Sequence, residues 1–299
     1  MRDKAKPAFY ILPALILMGV LSFIPNLYSV YLAFTNFSLY HYSDFQFVGL
    51  KNFYKILGSS ELGTFLRVAV WTVAWAFFSV LFSALVGLFL AIPLNREDLW
   101  GAKFYRTLFI VPWAIPAFIS VLMWQGLLNT SSGAVNAVLG TIGIGAIPWL
   151  NDPEWARFSV LMVNVWLGYP FMMTICLSAL QSIPKSVYEA ADIDGASSWL
   201  QFKSITLPLL RASLIPVLIS NFAFNFNQFT AIYLLTKGGP VVPGSEAGAT
   251  DILITYSYKL AFDLYQYGIA CAYAIIIFVV VAGVSGINIK LTGAFDDND

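Results

Sequence analysis

Six stretches of this chain carry no Lys, Arg, Asp or Glu, and each is long enough to cross a bilayer. They are residues 7–43, 68–95, 107–151, 158–184, 212–236 and 264–289. A hydrocarbon core takes about 20 apolar residues in helical form. Lipid offers backbone groups no hydrogen-bond partner, so such segments must be α-helices. The whole chain is 11% charged, against about 25% in an ordinary soluble domain. The expected fold is an all-α membrane protein with six transmembrane helices, near 9–34, 65–93, 104–128, 158–180, 209–235 and 267–289. The sparsely charged segment 129–157 is expected to lie along the membrane interface. Residues 1–299 are expected to form a single transmembrane domain.

The positive charges orient these spans. Arg2, Lys4 and Lys6 hold the N-terminus in the cytoplasm, and six spans return the C-terminus there. Ten of the sixteen Lys and Arg then face inward, among them Arg96, Lys103, Arg106, Lys185, Lys203 and Arg211. The first apolar run is too long for a signal-peptide core and reads as a retained anchor. Cys176 and Cys271 sit in apolar spans, as buried structural thiols. The single histidine, His41, falls in an external connection and reads as a solvated loop residue. The acidic tail 295–299 is expected to fray. A net charge of zero gives no case for nucleic acid.

Residues 184–208 form a charged, amphipathic interruption between two spans, on the cytoplasmic side of this topology. Pro184 ends the fourth span. Ser186 and Glu189 have capping-box spacing, so a short helix is expected to start there. Gly195 is placed to end it in a left-handed conformation. Ser198 and Gln201 offer a second capping box, so two short helices should meet at Gly195. Glu189, Ala190, Ala191 and Gly195, followed by Ile205, Leu207 and Pro208, satisfy E-A-A-x3-G-x9-I-x-L-P. That spacing resembles the coupling loop of ABC-transporter membrane subunits. The resemblance implies a docking element for a separate ATPase. No G-x-x-x-x-G-K-[ST] sequence occurs in the chain, so nucleotide phosphates are not held here in the P-loop manner.

A second pattern lies near the middle of the spans. Asn221, Phe224, Asn225 and Gln228 fall at i, i+3, i+4 and i+7, one face of a helix. Amides there can exchange hydrogen bonds with hydroxyl groups, and a phenyl ring can pack on the C–H face of a sugar. The bland alternative is interhelical adhesion, since polar pairs in membranes contribute about 0.6 kcal/mol on average. Ser220 and Asn227 point elsewhere on the helix and suit adhesion better. In the fourth span Asn164, Gly168 and Phe171 repeat the spacing, and Pro170 removes a backbone donor. In the third, Trp113 and Ala117 flank Pro116, with Pro112 just before. Kinks facing lipid are the alternative for these prolines.

The strings RTLFIVPWAIPAFIS (106–120), NVWLGYPF (164–171), FAFNFNQF (222–229) and LLTKGGP (234–240) resemble the MalF-type permease subunits of carbohydrate ABC importers. The similarity runs from about residue 47 onward. It implies a permease half of a binding-protein-dependent importer for an oligosaccharide, itself not an enzyme and without a cofactor. Its partners would be a second, different permease subunit, two ATP-binding subunits that hold ATP and magnesium, and an extracytoplasmic solute-binding protein. It places the complex in a bacterial cytoplasmic membrane. The family's sugar pocket maps onto Trp113, Ala117, Asn164, Leu167, Gly168, Phe171, Asn221, Phe224, Asn225 and Gln228. Where the family has hydroxyl side chains, this chain has Trp113, Ala117, Phe171 and Asn221, and a second family asparagine is Gln228. The enteric members carry two further N-terminal spans and a large external domain, for which the sequence has only a short external segment.

An ion-coupled secondary transporter is the other transport class. It commonly carries an ionisable group inside the membrane, and the six span cores have none. A membrane enzyme would need a nucleophile–base or metal constellation, and none is evident in the sequence.

Overall fold

The computed structural model describes residues 5–58, 61–96 and 98–292, with side chains from Tyr10 to Leu291. Arg2, Lys4 and the acidic tail 295–299 lie outside the described residues. In chain order the helices are α1 (Ala5–Met18), a π turn (Gly19–Phe23), α2 (Ile24–Ala33), α3 (Lys51–Gly58), α4 (Leu62–Leu94), α5 (Ala102–Ala114), α6 (Ala117–Leu127) and α7 (Ala134–Thr141). They continue with α8 (Pro153–Gln181), α9 (Lys185–Ile193), α10 (Ser198–Gln201), a π turn (Phe202–Thr206), α11 (Leu207–Phe226), α12 (Phe229–Thr236), α13 (Leu253–Phe262) and α14 (Tyr267–Thr292). Among the described residues, five helical runs are long and apolar enough to span a membrane, and α5 with α6 makes a sixth if that bent pair is one span. The chain is an all-α membrane protein.

Contacts divide it into two units: Met1–Leu66 with Tyr256–Val279, and Arg67–Thr255 with Val280–Asp299. In the first, the run Tyr10–Ala33 has a mean hydropathy of 1.9, and none of its most apolar window is buried. The chain leaving it is pinned by Asn52, whose Nδ2 donates to the carbonyls of Ala33 and Thr35, both at 2.8 Å. Phe37 packs on Tyr267 with ring centroids 5.0 Å apart, and Gly268 N donates to Phe37 O at 2.9 Å. These contacts tie residues 33–37 to the start of α14. His41 is exposed beside Asp44, 3.5 Å away.

In the second unit α8 is the central helix, packed against α5, α6, α11 and α12. It starts earlier than the hydropathy suggested, because Asp152 caps it. The Asp152 carboxylate accepts from the N–H groups of Glu154 and Trp155, and Pro153 supplies the fixed φ of a first helical residue. Helix α8 runs on through Pro170. It lies so close to α4 that a Cβ on Gly87 would come within 2.6 Å of Met173 N. Ala91, Leu94, Met173, Cys176, Leu177, Leu180 and Leu210 close the packing below this contact. Segment 129–157 is organised by Asn136. Its Nδ2 donates to Thr130 O and Ile147 O, and its Oδ1 accepts from Ile147 N and Trp149 Nε1.

Two expected spans differ from the observed ones. The third is not one helix over 104–128: α5 and α6 meet at an angle of 89°. Ile115 is extended, φ −88° and ψ 133°, as the residue before a proline is driven to be. The fifth does not run to 235. It ends at Phe226, and α12 is a separate helix packed on α6. No Gly or Pro stands at that break. The end is held from outside, because Trp75 Nε1 on α4 donates to the Asn225 carbonyl at 3.0 Å. That carbonyl also accepts from Gln228 N at 3.1 Å, so both of its lone pairs are engaged at a helix end whose carbonyls lack intrahelical partners. Gln125 does the same for α12, donating to Leu234 O and Leu235 O.

Candidate functional site

A cavity of about 880 Å3 opens between α4, α5, α6, α8 and α11 within the second unit. All ten residues expected at a pocket line it: Trp113, Ala117, Asn164, Leu167, Gly168, Phe171, Asn221, Phe224, Asn225 and Gln228. Sequence reasoning missed Ser83, Ala114, Ile115, Pro216 and Val217 among the lining residues, and had turned Ser220 away from the cavity. None of the lining side chains is ionisable.

Each wall has a local cause. The Ile115–Pro116 break puts Trp113 and Ala117 on either side of a bend, with both helix ends on the cavity. Irregular backbone at membrane depth is tolerated where it lines a cavity. Trp113 and Phe171 approach at 6.1 Å between ring centroids. Phe224 is 64% exposed and Trp113 57%, so both rings offer apolar faces to the space. Gly168 allows α8 to approach α4: a Cβ there would lie 2.9 Å from Ser83 Oγ. Gln228 lies beyond the end of α11, not on its helical face, yet reaches the same wall.

The amides form a directional chain. Asn164 Nδ2 donates to Asn225 Oδ1 at 2.7 Å. Asn225 Nδ2 donates to Asn221 Oδ1 at 2.7 Å and to Asn221 O at 2.9 Å. The last bond fixes the polarity, because a backbone carbonyl only accepts. Asn225 must therefore turn its nitrogen to Asn221 and its oxygen to Asn164, which in turn must present nitrogen. Asn164 and Asn225 are 5% and 6% exposed and largely occupied with one another. Asn221 Nδ2 and the Gln228 amide make no hydrogen bond among the described residues and face the cavity side. Ser220 serves adhesion as well as lining: its Oγ accepts from Asn288 Nδ2 at 2.8 Å.

The 184–208 loop has two helical arms joined at Gly195, φ +75°. Ala196 N donates to Ala191 O and Gly195 N to Asp192 O, the six-to-one and five-to-two bonds of a Schellman end. Both capping boxes are displaced from expectation. Helix α9 starts at Lys185 behind Pro184, with no side-chain cap, so Ser186 lies inside the first turn. Ser197, not Ser198, caps α10, accepting from Leu200 N. Gln201 instead reaches across the turn, its Nε2 donating to Asp192 Oδ1 at 2.6 Å and to Ala196 O at 3.0 Å. Tyr188 OH lies 2.9 Å from Thr206 Oγ1, locking the two arms together. Glu189 and Ala190 are exposed and Ala191 half-buried. Nearby, Ile193 is 87% exposed and Trp199 70%, an apolar patch on a polar loop of the kind that marks a protein contact.

Comparison with known proteins agrees with this architecture. Residues 83–289 match the family of binding-protein-dependent transport system inner membrane components. The chain is 39% identical to the galactooligosaccharides transport system permease protein GanP of Bacillus subtilis, over 95% of this chain and 69% of that one. It is 37% identical to the maltodextrin permease protein MdxF of the same organism, over 99% and 71%. It is 43% identical to the maltose/maltodextrin permease protein MalF of Photorhabdus laumondii, over 82% and 48%. Among solved structures, a bacterial ABC transporter that imports the acidic polysaccharide alginate superposes with a TM-score of 0.77 at 25% identity, covering 97% of each chain. These matches place the chain in the binding-protein-dependent transport system inner membrane component family, as a MalF-type permease subunit of an ABC importer.

Proposed function

We propose that the chain carries a neutral oligosaccharide through the α4–α5–α6–α8–α11 cavity, driven by ATPase subunits that dock on the 184–208 loop. The observation that carries this reading is the cavity wall: aromatic faces at Trp113, Phe171 and Phe224, amides at Asn221 and Gln228, and no ionisable side chain. Its volume falls within the range of about 300–1,000 Å3 usual for ligand sites. The related permeases are named for galactooligosaccharides and maltodextrins, neutral glycans that suit such a wall. The absence of a titratable lining group also disfavours an ion-coupled secondary carrier.

The backbone supplies the transmission. Ser198–Phe226 is one uninterrupted helical run of 29 residues, about 43 Å long at 1.5 Å per residue. One end begins at the loop, and the other carries Asn221, Phe224 and Asn225 into the cavity. ATP binding in the partners would shift the loop, and the run would deliver that shift to the wall. Alternating access follows if the two ATPase states bind the loop with different affinity. The working complex holds this chain, a second permease subunit, two ATP-binding subunits and an extracytoplasmic binding protein, with both termini of the chain in the cytoplasm of a bacterial cell.

Proteoliposome uptake tests this. With all partners and ATP, a neutral oligosaccharide should accumulate, and uptake should vanish without the ATPase subunits. A uronic-acid oligosaccharide of equal length should be transported poorly. Preferential uptake of the acidic glycan would overturn the ligand assignment, and ATP-independent uptake would overturn the coupling.

A further inference from the structure

The first unit holds a separate cleft of about 490 Å3, unrelated to the transport cavity. Its wall carries Lys51, Lys55, Tyr40, Tyr54, Tyr265 and Gln266, and no Asp or Glu. Lys55 is shared with Glu61 at 2.9 Å. Lys51 is exposed and forms no ion pair among the described residues. Gln266 has its Oε1 buried without a hydrogen-bond partner. Tyr265 is held at φ +54°, a conformation that disfavours non-glycine residues and needs local support. That support comes from Leu39 N, which donates to Tyr265 O at 3.0 Å.

The depth of the cleft is fixed by the helices beside it. Its residues 35–38 follow the end of α2 at Ala33 by two to five positions, and residues 264–266 precede α14 at Tyr267 by one to three. Both segments therefore fall in the headgroup zone, roughly 5–8 Å thick on each side of the hydrocarbon. Tyrosine is favoured at that level, where its ring meets lipid and its hydroxyl meets water.

We propose that this cleft seats the headgroup of an anionic phospholipid. Lys51, assisted by Lys55, receives the phosphate. The phenol hydroxyls of Tyr40 and Tyr54 can donate to it, and no carboxylate on the cleft wall opposes it. On the topology given above, this is the outer leaflet. A carboxylate on a docking protein shares the charge but not the depth, since the cleft opens at headgroup level beside two span ends.

Native mass spectrometry of the full chain in detergent reads this directly, with phosphatidylglycerol or phosphatidylcholine added at equal concentration. The wild-type chain should retain one phosphatidylglycerol in preference to phosphatidylcholine. Lys51→Gln should reduce that preference about five-fold, the share of one lysine near a lipid surface, and Lys51→Arg should restore it. Because Lys51 is exposed, neither change should disturb folding, which melting of the same samples verifies. Equal retention of the two lipids, or an unchanged preference in Lys51→Gln, would overturn the proposal. Soluble glycerol phosphate should fail to displace the lipid; displacement at equal concentration would assign the cleft to a free phosphate instead. If Lys51→Gln spared lipid retention but weakened capture of the binding protein, the cleft would be a protein-docking surface and the lipid assignment would fail.

Discussion

Replacing Asn225 by Ala separates the two jobs of the amide chain. The change removes the Asn164–Asn225 bond and both bonds from Asn225 to Asn221. It leaves Asn164, 5% exposed, with a buried donor and no acceptor. An orphaned buried polar group costs about 1–3 kcal/mol, while side-chain bonds inside membranes average about 0.6 and reach about 1.7 kcal/mol. Asn225→Ala should therefore destabilise the chain by about 1–3 kcal/mol without any sugar present. Asn164→Ala should cost less, because Asn225 keeps its bonds to Asn221. The two changes should be non-additive by about 0.6–1.7 kcal/mol. Unfolding by SDS titration in mixed micelles, followed by tryptophan fluorescence, measures all four corners of the cycle. Gln228→Ala is the contrast: its amide bonds nothing among the described residues, so it should leave stability unchanged. It should weaken sugar transport by about 2- to 12-fold, the worth of one hydrogen bond. A coupling below about 0.3 kcal/mol, the level of independent sites, would refute the strut role of Asn225.

Asn225→Ala should also weaken transport more than Asn227→Ala, since Asn227 is exposed at the end of α11 and makes no side-chain bond among the described residues; equal losses in uptake would count against the wall assignment. Gly195→Ala puts a side chain at φ +75° with open space around it, so the cost should be the backbone strain of about 1–2 kcal/mol. It should appear as sugar uptake falling more than ATPase assembly in a pull-down. Glu189→Ala should abolish uptake while membrane insertion persists, and unchanged uptake would remove Glu189 from the docking surface. Gly87→Ala drives a methyl group to 2.6 Å from Met173 N. Overpacking of this kind costs about 1–3 kcal/mol, visible as an earlier midpoint in the same SDS titration. The purified chain alone should turn over no ATP, and measured turnover would sink the division of labour between permease and ATPase.

The spans were legible because charge is so costly in lipid that its omission marks them: Arg67 and Arg96 bracket the apolar body of α4, and the hydropathy reading missed its bounds by three residues at one end and one at the other. Breaks inside spans were only half legible. Pro116 announced a disturbance, and the rule for the residue before proline explains Ile115. The 89° angle has no such marker, and α6 packs on α12, a partner about 110 residues away in sequence. The end of α11 carries no Gly or Pro, and its main support, Trp75, lies 150 residues away in sequence. Periodicity therefore ran straight through Asn227 and put Gln228 on a helix it does not belong to. The caps slipped by a residue or more for a similar reason. Pro184 and the Gly195 turn set where each arm begins, and Ser186 and Ser198 were read without them.

The candidate site shows why spacing alone divided the amides imperfectly. Asn221 and Asn225 are four apart, so their pairing is a local fact that sequence can carry. The bond from Asn164 belongs to a different helix and depends on how closely α8 approaches α11. Gly87 and Gly168 set that helix's distance from α4 through contacts with Met173 and Ser83. Asn164 and Asn225 join two helices by their side chains and also line the cavity, so adhesion and lining are not alternatives for them. The same amide chain holds two helices at one end and leaves Asn221 Nδ2 at the other. On the proposed function, a ligand held by Asn221 would pull on a chain anchored in α8, while the loop would push on α11. A sugar seated there would resist or assist the movement of the Ser198–Phe226 run according to which state keeps Asn164 and Asn225 bonded. On the proposed function, occupancy of the cavity and the state of the loop would be coupled through these three side chains.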